Sequence, residues 1–119
     1  MEFTMKCSVA LLYEFVTKAE YLGQWFADSC DSKGDDYVFV WDGYSQFAEI
    51  IDNADNEFVR YYFKDMPDDE YFEFRIDSTE ISGDTIFRVI DFADPAEIKD
   101  AQKLWESQVR TLRHVLGTS

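Results

Sequence analysis

The chain has 119 residues, 46% of them hydrophobic and 18% aromatic, with eleven Phe, seven Tyr and three Trp. That composition lies well outside the disordered range and predicts one domain over residues 1–119 with an ample core. A formal net charge of −14 repels phosphate backbones and anionic headgroups, which argues against nucleic-acid binding and membrane docking.

Residues 2–7 (EFTMKC) set Phe3, Met5 and Cys7 against Glu2, Thr4 and Lys6, the two-residue period of a strand. Ser8 then offers its hydroxyl to the free amides of a first helical turn, and Leu11, Leu12, Phe15 and Val16 share one helical face. Thr17 is placed to cap a second, shorter helix through KAEYLGQWF, which Gly23 weakens. Tyr21, Leu22, Trp25 and Phe26 then crowd apolar surface against an acidic connector, DSCDSKGDD, with a very short strand predicted near Ser29–Ser32.

From there the period is two. DYVFVWDG puts Tyr37, Phe39 and Trp41 on one face and Val38 and Val40 on the other, and Asp42-Gly43 is a hairpin signal. YSQFAEIID returns, NADN (53–56) turns, EFVRYYFK forms the next strand, and DMPDDE (65–70) turns again with Pro67 barring a ladder bond. YFEFRID alternates Phe72, Phe74 and Ile76 against Tyr71, Glu73, Arg75 and Asp77, so the sheet is expected to have one buried and one wet face. SGD (82–84) leads into TIFRVIDFA, with Phe87 and Val89 inward because the other register buries Arg88. In the last segment Asp94, Pro95 and Glu97 read as cap, first helical position and capping box. Ile98, Ala101, Trp105, Val109, Leu112 and Val115 make one stripe, Leu104 and Leu116 flank it, and Gly117 ends the helix.

A long amphipathic helix must cover something, and the inner face of the sheet is the apolar surface large enough. The expected fold class is therefore α+β, a curved antiparallel sheet wrapped around the C-terminal helix, with two short helices after the first strand. The order resembles the helix-grip fold of the START-like (Bet v 1-like, polyketide cyclase) superfamily. CSVALLYEFVTKAEYLGQWFADSC with its Trp-Phe ending, YVFVWDG, YFEFRI, VIDFAD and LWESQVRTLRHVLG carry the resemblance over essentially the whole chain. WFADS, FVWDG and LWESQ look most like small START-like proteins of Bacteroidetes, and the Trp-Phe and late Trp are similar to homologues of the activators of heat-shock protein 90 ATPase.

The resemblance implies a groove between the last helix and the sheet. Its expected lining is Trp25, Phe26, Phe39, Trp41, Tyr62, Phe72, Phe74, Phe87, Trp105, Val109 and Leu112, with Tyr62 or a Trp indole supplying an orienting hydrogen bond. The same rings could instead fill the space as a solid core. Of the strand carboxylates Asp42, Glu49, Glu73 and Asp91, Asp91 shares parity with Phe87 and Val89 and is the best candidate acid or base. His114, the one histidine, sits at a helix end beside Arg113 and reads as structural, and Asp65, Asp68, Asp69 and Glu70 read as a solvated turn. GxSxG, HExxH, P-loop and GxGxxG motifs do not occur, and neither a cofactor nor a metal is called for. Cys7 and Cys30 lack CxxC spacing and suit free thiols in a reducing cytoplasm.

Three functions follow. The leading one is non-enzymatic binding of a small hydrophobic ligand, lipid-like or aromatic, in the groove. The alternative is a protein-interaction or chaperone-cofactor domain with a filled core, using outer residues Val38, Val40, Ile86 and Ile90 for a partner or a homodimer. The third is a cyclase- or hydrolase-like enzyme.

Overall fold

The computed structural model describes residues 1–65, 71–79, 83–91 and 95–117. Seven antiparallel strands form one sheet: β1 (Glu2–Met5), β2 (Ser29–Lys33), β3 (Asp36–Trp41), β4 (Tyr44–Ala54), β5 (Phe58–Phe63), β6 (Tyr71–Ser78) and β7 (Thr85–Asp91). Their order is β1-β7-β6-β5-β4-β3-β2, a meander whose first strand closes beside its last. Helices α1 (Val9–Thr17) and α2 (Ala19–Trp25) follow β1, and α3 (Ile98–Leu116) ends the described chain apart from Gly117. The sheet grips α3, whose Trp105, Val109 and Leu112 are buried. The α+β helix-grip architecture expected from the element order is therefore present.

Local chemistry accounts for most of the boundaries. Ser8 Oγ accepts from Leu11 N at 3.1 Å and caps α1. Asp42 and Gly43, at φ 48° and 82°, turn the chain between the paired Trp41 and Tyr44, the backbone a two-residue hairpin needs. Along β4 the register shifts between Ile50 and Asp52, so Ile51 stands out of the ladder and bends the long strand. Gly23 has a positive role as well as a low helix propensity. A Cβ there would lie 3.3 Å from Cys30 N, so its absence lets α2 rest directly on β2.

Two caps differ from expectation. Thr17 ends α1 and its hydroxyl donates to Tyr13 O at 2.7 Å, while Lys18 precedes α2 without a side-chain cap. Before α3 a 3₁₀ turn, Pro95–Glu97, leads the chain in, and Glu97 makes no capping hydrogen bond. The tighter i→i+3 turn occupies amides that a capping box serves in an α-helical start. Asp94, Pro67, Asp68, Asp69, Glu70 and Ser82 lie outside the described residues. The apolar stripe of α3 is also narrower than its sequence, because Ile98 and Leu104 are exposed.

The dense apolar stretch before β2 is explained by the end of α1. A helix leaves its last four carbonyls without helical partners. Here Glu14 O accepts from Lys18 N at 2.9 Å, and Phe15 O from the Trp25 indole N–H at 2.8 Å. Val16 O accepts from the Tyr61 hydroxyl at 2.7 Å, and Thr17 O from the Tyr37 hydroxyl. Three aromatic donors, from α2, β5 and β3, thus cap one helix end from inside the core. They combine apolar bulk with a polar tip where both are needed.

The outer face of the sheet is not uniformly wet. Glu73, expected to face water, is only 2% exposed. Its Oε1 accepts from Arg60 Nε and lies 2.7 Å from Arg60 Nη2, and its Oε2 accepts from Arg75 Nη1 at 2.7 Å. The two guanidiniums lie over Tyr71 and Phe58, 4.9 and 4.7 Å from the ring centroids. Burial pushes the Glu73 carboxyl up, but the hydrogen bonds from Arg75 and Arg60 outweigh it and hold it below its ordinary value. Glu73 therefore contributes stability above the ordinary carboxylate range, and that stability is lost as pH falls through the depressed value. Glu73→Gln should cost about 1–2 kcal/mol near neutral pH, moderated by the solvent access of both arginines. Urea unfolding of the wild type from pH 7 to 3 should lose that advantage over the variant, and a gap that stays constant with pH would refute the assignment.

The four outer apolar residues singled out from the sequence do not form one patch. Val38 and Val40 lie on β3, Ile86 and Ile90 on β7, and β4, β5 and β6 stand between them.

Candidate functional site

Between α3 and the apolar face of the sheet the packing is solid at one end and open at the other. At the solid end, Trp25 lies 5.7 Å from Phe74 and 6.2 Å from Phe87, ring to ring. With Phe39, Val109 and Leu112 these residues are 4% exposed or less. They form core rather than lining.

At the open end a cleft of about 290 Å³ remains. Phe26 forms part of its wall, stacked on Trp105 at 5.7 Å and edge-on to Trp41 at 5.2 Å. Trp41 reaches it from β3, Gln46 from β4, Phe63 from β5 and Phe72 from β6. Asp91 at the end of β7 and Leu104, Trp105 and Gln108 of α3 complete it. Of the eleven residues expected to line the groove, Phe26, Trp41, Phe72 and Trp105 line this cleft, and Asp91 is on its rim.

Tyr62 is the residue that the structure moves. It stands on the outer face, paired with Glu49 and Tyr71, while the neighbouring Tyr61 points inward opposite Phe72. The signal was in the strand: Arg60 is two residues from Tyr62 and shares its face, so burying Tyr62 would have buried the arginine. Phe63 shares parity with Tyr61 and joins the cleft by the same rule. Leu104 and Gln108 sit one turn apart on α3, on either side of Trp105, and Gln46 lies two positions before the buried Ala48 on β4.

The orienting groups also differ from expectation. The Trp41 indole N–H donates to Phe26 O at 2.8 Å and the Trp105 indole N–H to Asp91 Oδ2 at 3.1 Å, so both indoles are engaged by the protein. Asp91 is exposed at the strand end rather than buried in the curled sheet. Nucleophiles are muted: burial, reinforced by Asp31, pushes the Cys30 thiol up to about 12, and burial raises Cys7. Burial likewise raises the phenols of Tyr37 and Tyr61.

A smaller hollow of about 230 Å³ lies across Asp91, under Ile98, Ala101 and Gln102. A larger groove of about 510 Å³ runs along α1 and α2 past Tyr13, Lys18, Glu20, Tyr37, Asn53 and Asp55. It is shallow and mostly polar, and lacks the apolar walls that retain a small molecule. Among the described residues there is no cluster of three or more metal-ligating side chains, and no helix is long and apolar enough to cross a membrane.

Solved structures of the same fold include a Bacteroides fragilis protein determined by NMR in solution. It matches with a TM-score of 0.70 and 27% identity, over 98% of this chain and 88% of that one. The Aha1 dimer of Colwellia psychrerythraea matches at 0.78 and 16% identity, over 94% of this chain and 90% of that one. DynU16, a protein of the dynemicin biosynthetic locus, matches at 0.80 and 17% identity, over 99% of this chain and 46% of that one. No curated protein matches the chain in sequence. Residues 1–118 match the START-like superfamily domain, and the chain belongs to the START-like superfamily.

Proposed function

We propose that residues 1–119 act as one non-enzymatic START-like domain that takes a compact hydrophobic ligand into the cleft between α3 and the sheet. The observation that carries this reading is the cleft itself, walled by Phe26, Trp41, Phe63, Phe72 and Trp105. Its 290 Å³ lies at the lower edge of the roughly 300–1,000 Å³ typical of small-molecule sites. It is about twice the roughly 150 Å³ of an apolar cavity that takes benzene. That size favours a ligand of one or two fused rings over a long acyl chain, because the solid end around Trp25 and Phe74 gives a chain nowhere to run.

Trp41 and Trp105 report on the site, while Trp25 sits in the core. Titration with 2-naphthol should quench fluorescence saturably, and palmitate should bind at least tenfold more weakly. Gln46→Trp, which adds bulk at the mouth, should remove the response. Fluorescence unchanged by any compact aromatic, or quenching unaffected in Gln46→Trp, would overturn the proposal.

The protein-interaction reading draws on likeness to Aha1, a likeness of fold, and its outer apolar residues are divided between β3 and β7, with three strands between them. The enzymatic reading needs an inward acid/base pair, and Asp91 on the exposed rim is a poor start for one.

A further inference from the structure

We infer that Gln46 reads one edge of the ligand in the cleft, and that it favours neutral aromatic lactams and amides, which set an N–H beside a carbonyl. This rests on the proposed ligand site and names the chemistry it accepts. Gln46 has the inward parity of the buried Ala48 on β4, and it lines the cleft. On β3 it is paired with Phe39, but the β4–β5 ladder begins only at Ala48 and Phe63, so no β5 residue is paired with it.

The Gln46 side chain is half-buried and makes no hydrogen bond with a described residue. Its neighbours are committed. Tyr37, Tyr61 and Thr85, on the same face of the sheet, donate to backbone carbonyls. On the cleft wall the Trp41 indole and Gln108 Nε2 both donate to Phe26 O, and the Trp105 indole donates to Asp91 Oδ2. The remaining Gln108 oxygen is buried out of reach. Among the described residues of this wall, Gln46 is the polar side chain whose hydrogen bonds are all still to be made.

A primary amide holds an acceptor and a donor side by side. Since no protein contact fixes the Gln46 amide, either orientation is open to a ligand. Its complement is an N–H next to a C=O on one edge of a flat ring system. A carboxylate lacks the N–H and sets an oxygen against the amide oxygen, and the formal net charge of −14 adds to the repulsion. A phenol or an amine uses one half of the pair. Once the ligand has displaced water between the aromatic walls, the mismatched edge leaves two acceptors facing each other.

2-Quinolone and coumarin separate the alternatives. They share size, shape and carbonyl, and differ in having an N–H or a ring oxygen beside it. Affinities of both for the full chain, measured by ¹H–¹⁵N NMR titration, should favour 2-quinolone by about tenfold, the effect of one hydrogen bond. In Gln46→Met the two should bind within about twofold of each other. That variant loses no hydrogen bond within the described protein, so the fold is expected to hold, and the dispersion of the same spectra checks it. Gln46→Glu keeps an acceptor for the N–H and should keep the preference. Equal binding in the wild type would overturn the inference and leave the ligand site standing. A preference that survives in Gln46→Met, or one that is lost in Gln46→Glu, would overturn the assignment to the Gln46 amide. No shift of cleft resonances with either compound would remove the site, and the inference with it.

Discussion

Phe26→Ala should destabilise the chain by about 3–5 kcal/mol, with a fall in Tm of roughly 15 °C or more. The magnitude follows from position. Phe26 lies at the end of α2 and its ring meets those of Trp25, Phe39, Trp41, Phe72, Phe74 and Trp105, all within 5.7 Å between centroids. It is the hub between α2, the sheet and α3. Truncation removes that contact and leaves a void that the surrounding rings, locked by their own packing, cannot collapse to fill. The void joins the cleft, so on the proposed ligand site the variant should also bind larger compounds than the wild type. Phe26→Leu, which keeps most of the volume, should lose less than half as much. Urea unfolding with an unchanged m-value measures both. A loss under about 1 kcal/mol in Phe26→Ala would mean that the rings around Phe26 pack without it, and the division into solid core and open cleft would fail.

The fold was legible because its signals were redundant. Alternation in YFEFRID, the Asp42-Gly43 turn and the stripe from Trp105 to Leu112 each point to the same curved sheet around one helix. The site was half legible. Phe26, Trp41, Phe72 and Trp105, which line the cleft, stand out in the sequence because large rings facing inward must either pack or line a space. Which of these they do depends on distances between elements far apart in sequence, and that is why Trp25, Phe39, Phe74 and Phe87 belong to the core instead. Tyr62 went to the wrong face because FVRYYF carries aromatic residues at both parities, and the arginine within it was the deciding residue. Gln108 was invisible as a site residue. A glutamine beside an apolar stripe reads as a solvated flank until the loop carbonyl of Phe26 is seen to hold it inward. The burial of Glu73 depended on register, which set Arg60 directly across from it on β5.

Tyr61→Phe tests the least legible feature, the aromatic capping of α1, and it should cost about 1–3 kcal/mol although it deletes a single oxygen. The ring stays and its stack on Phe72 at 4.9 Å is untouched, so packing is a minor part of the loss. What is lost is the donor for Val16 O, a buried carbonyl in the last turn of α1 that has no helical amide to accept from. Tyr37→Phe is the control. Tyr37 is buried, but its hydroxyl serves Thr17 O where the residue lines the polar groove, so water can replace it and the cost should stay below about 1 kcal/mol. The pH dependence separates the two explanations for any loss. Burial, and after it the neighbouring Tyr37, raises the Tyr61 phenol well above its ordinary value. A group raised in the folded state gives stability that is complete below its unfolded value, about 10 for tyrosine, and is lost as pH rises beyond it. The wild type should therefore lose stability above about pH 10 more steeply than Tyr61→Phe, and the two unfolding curves should converge in alkali. Parallel curves, or a Tyr37→Phe that costs as much as Tyr61→Phe, would show that α1 is not held at its end by a buried phenol.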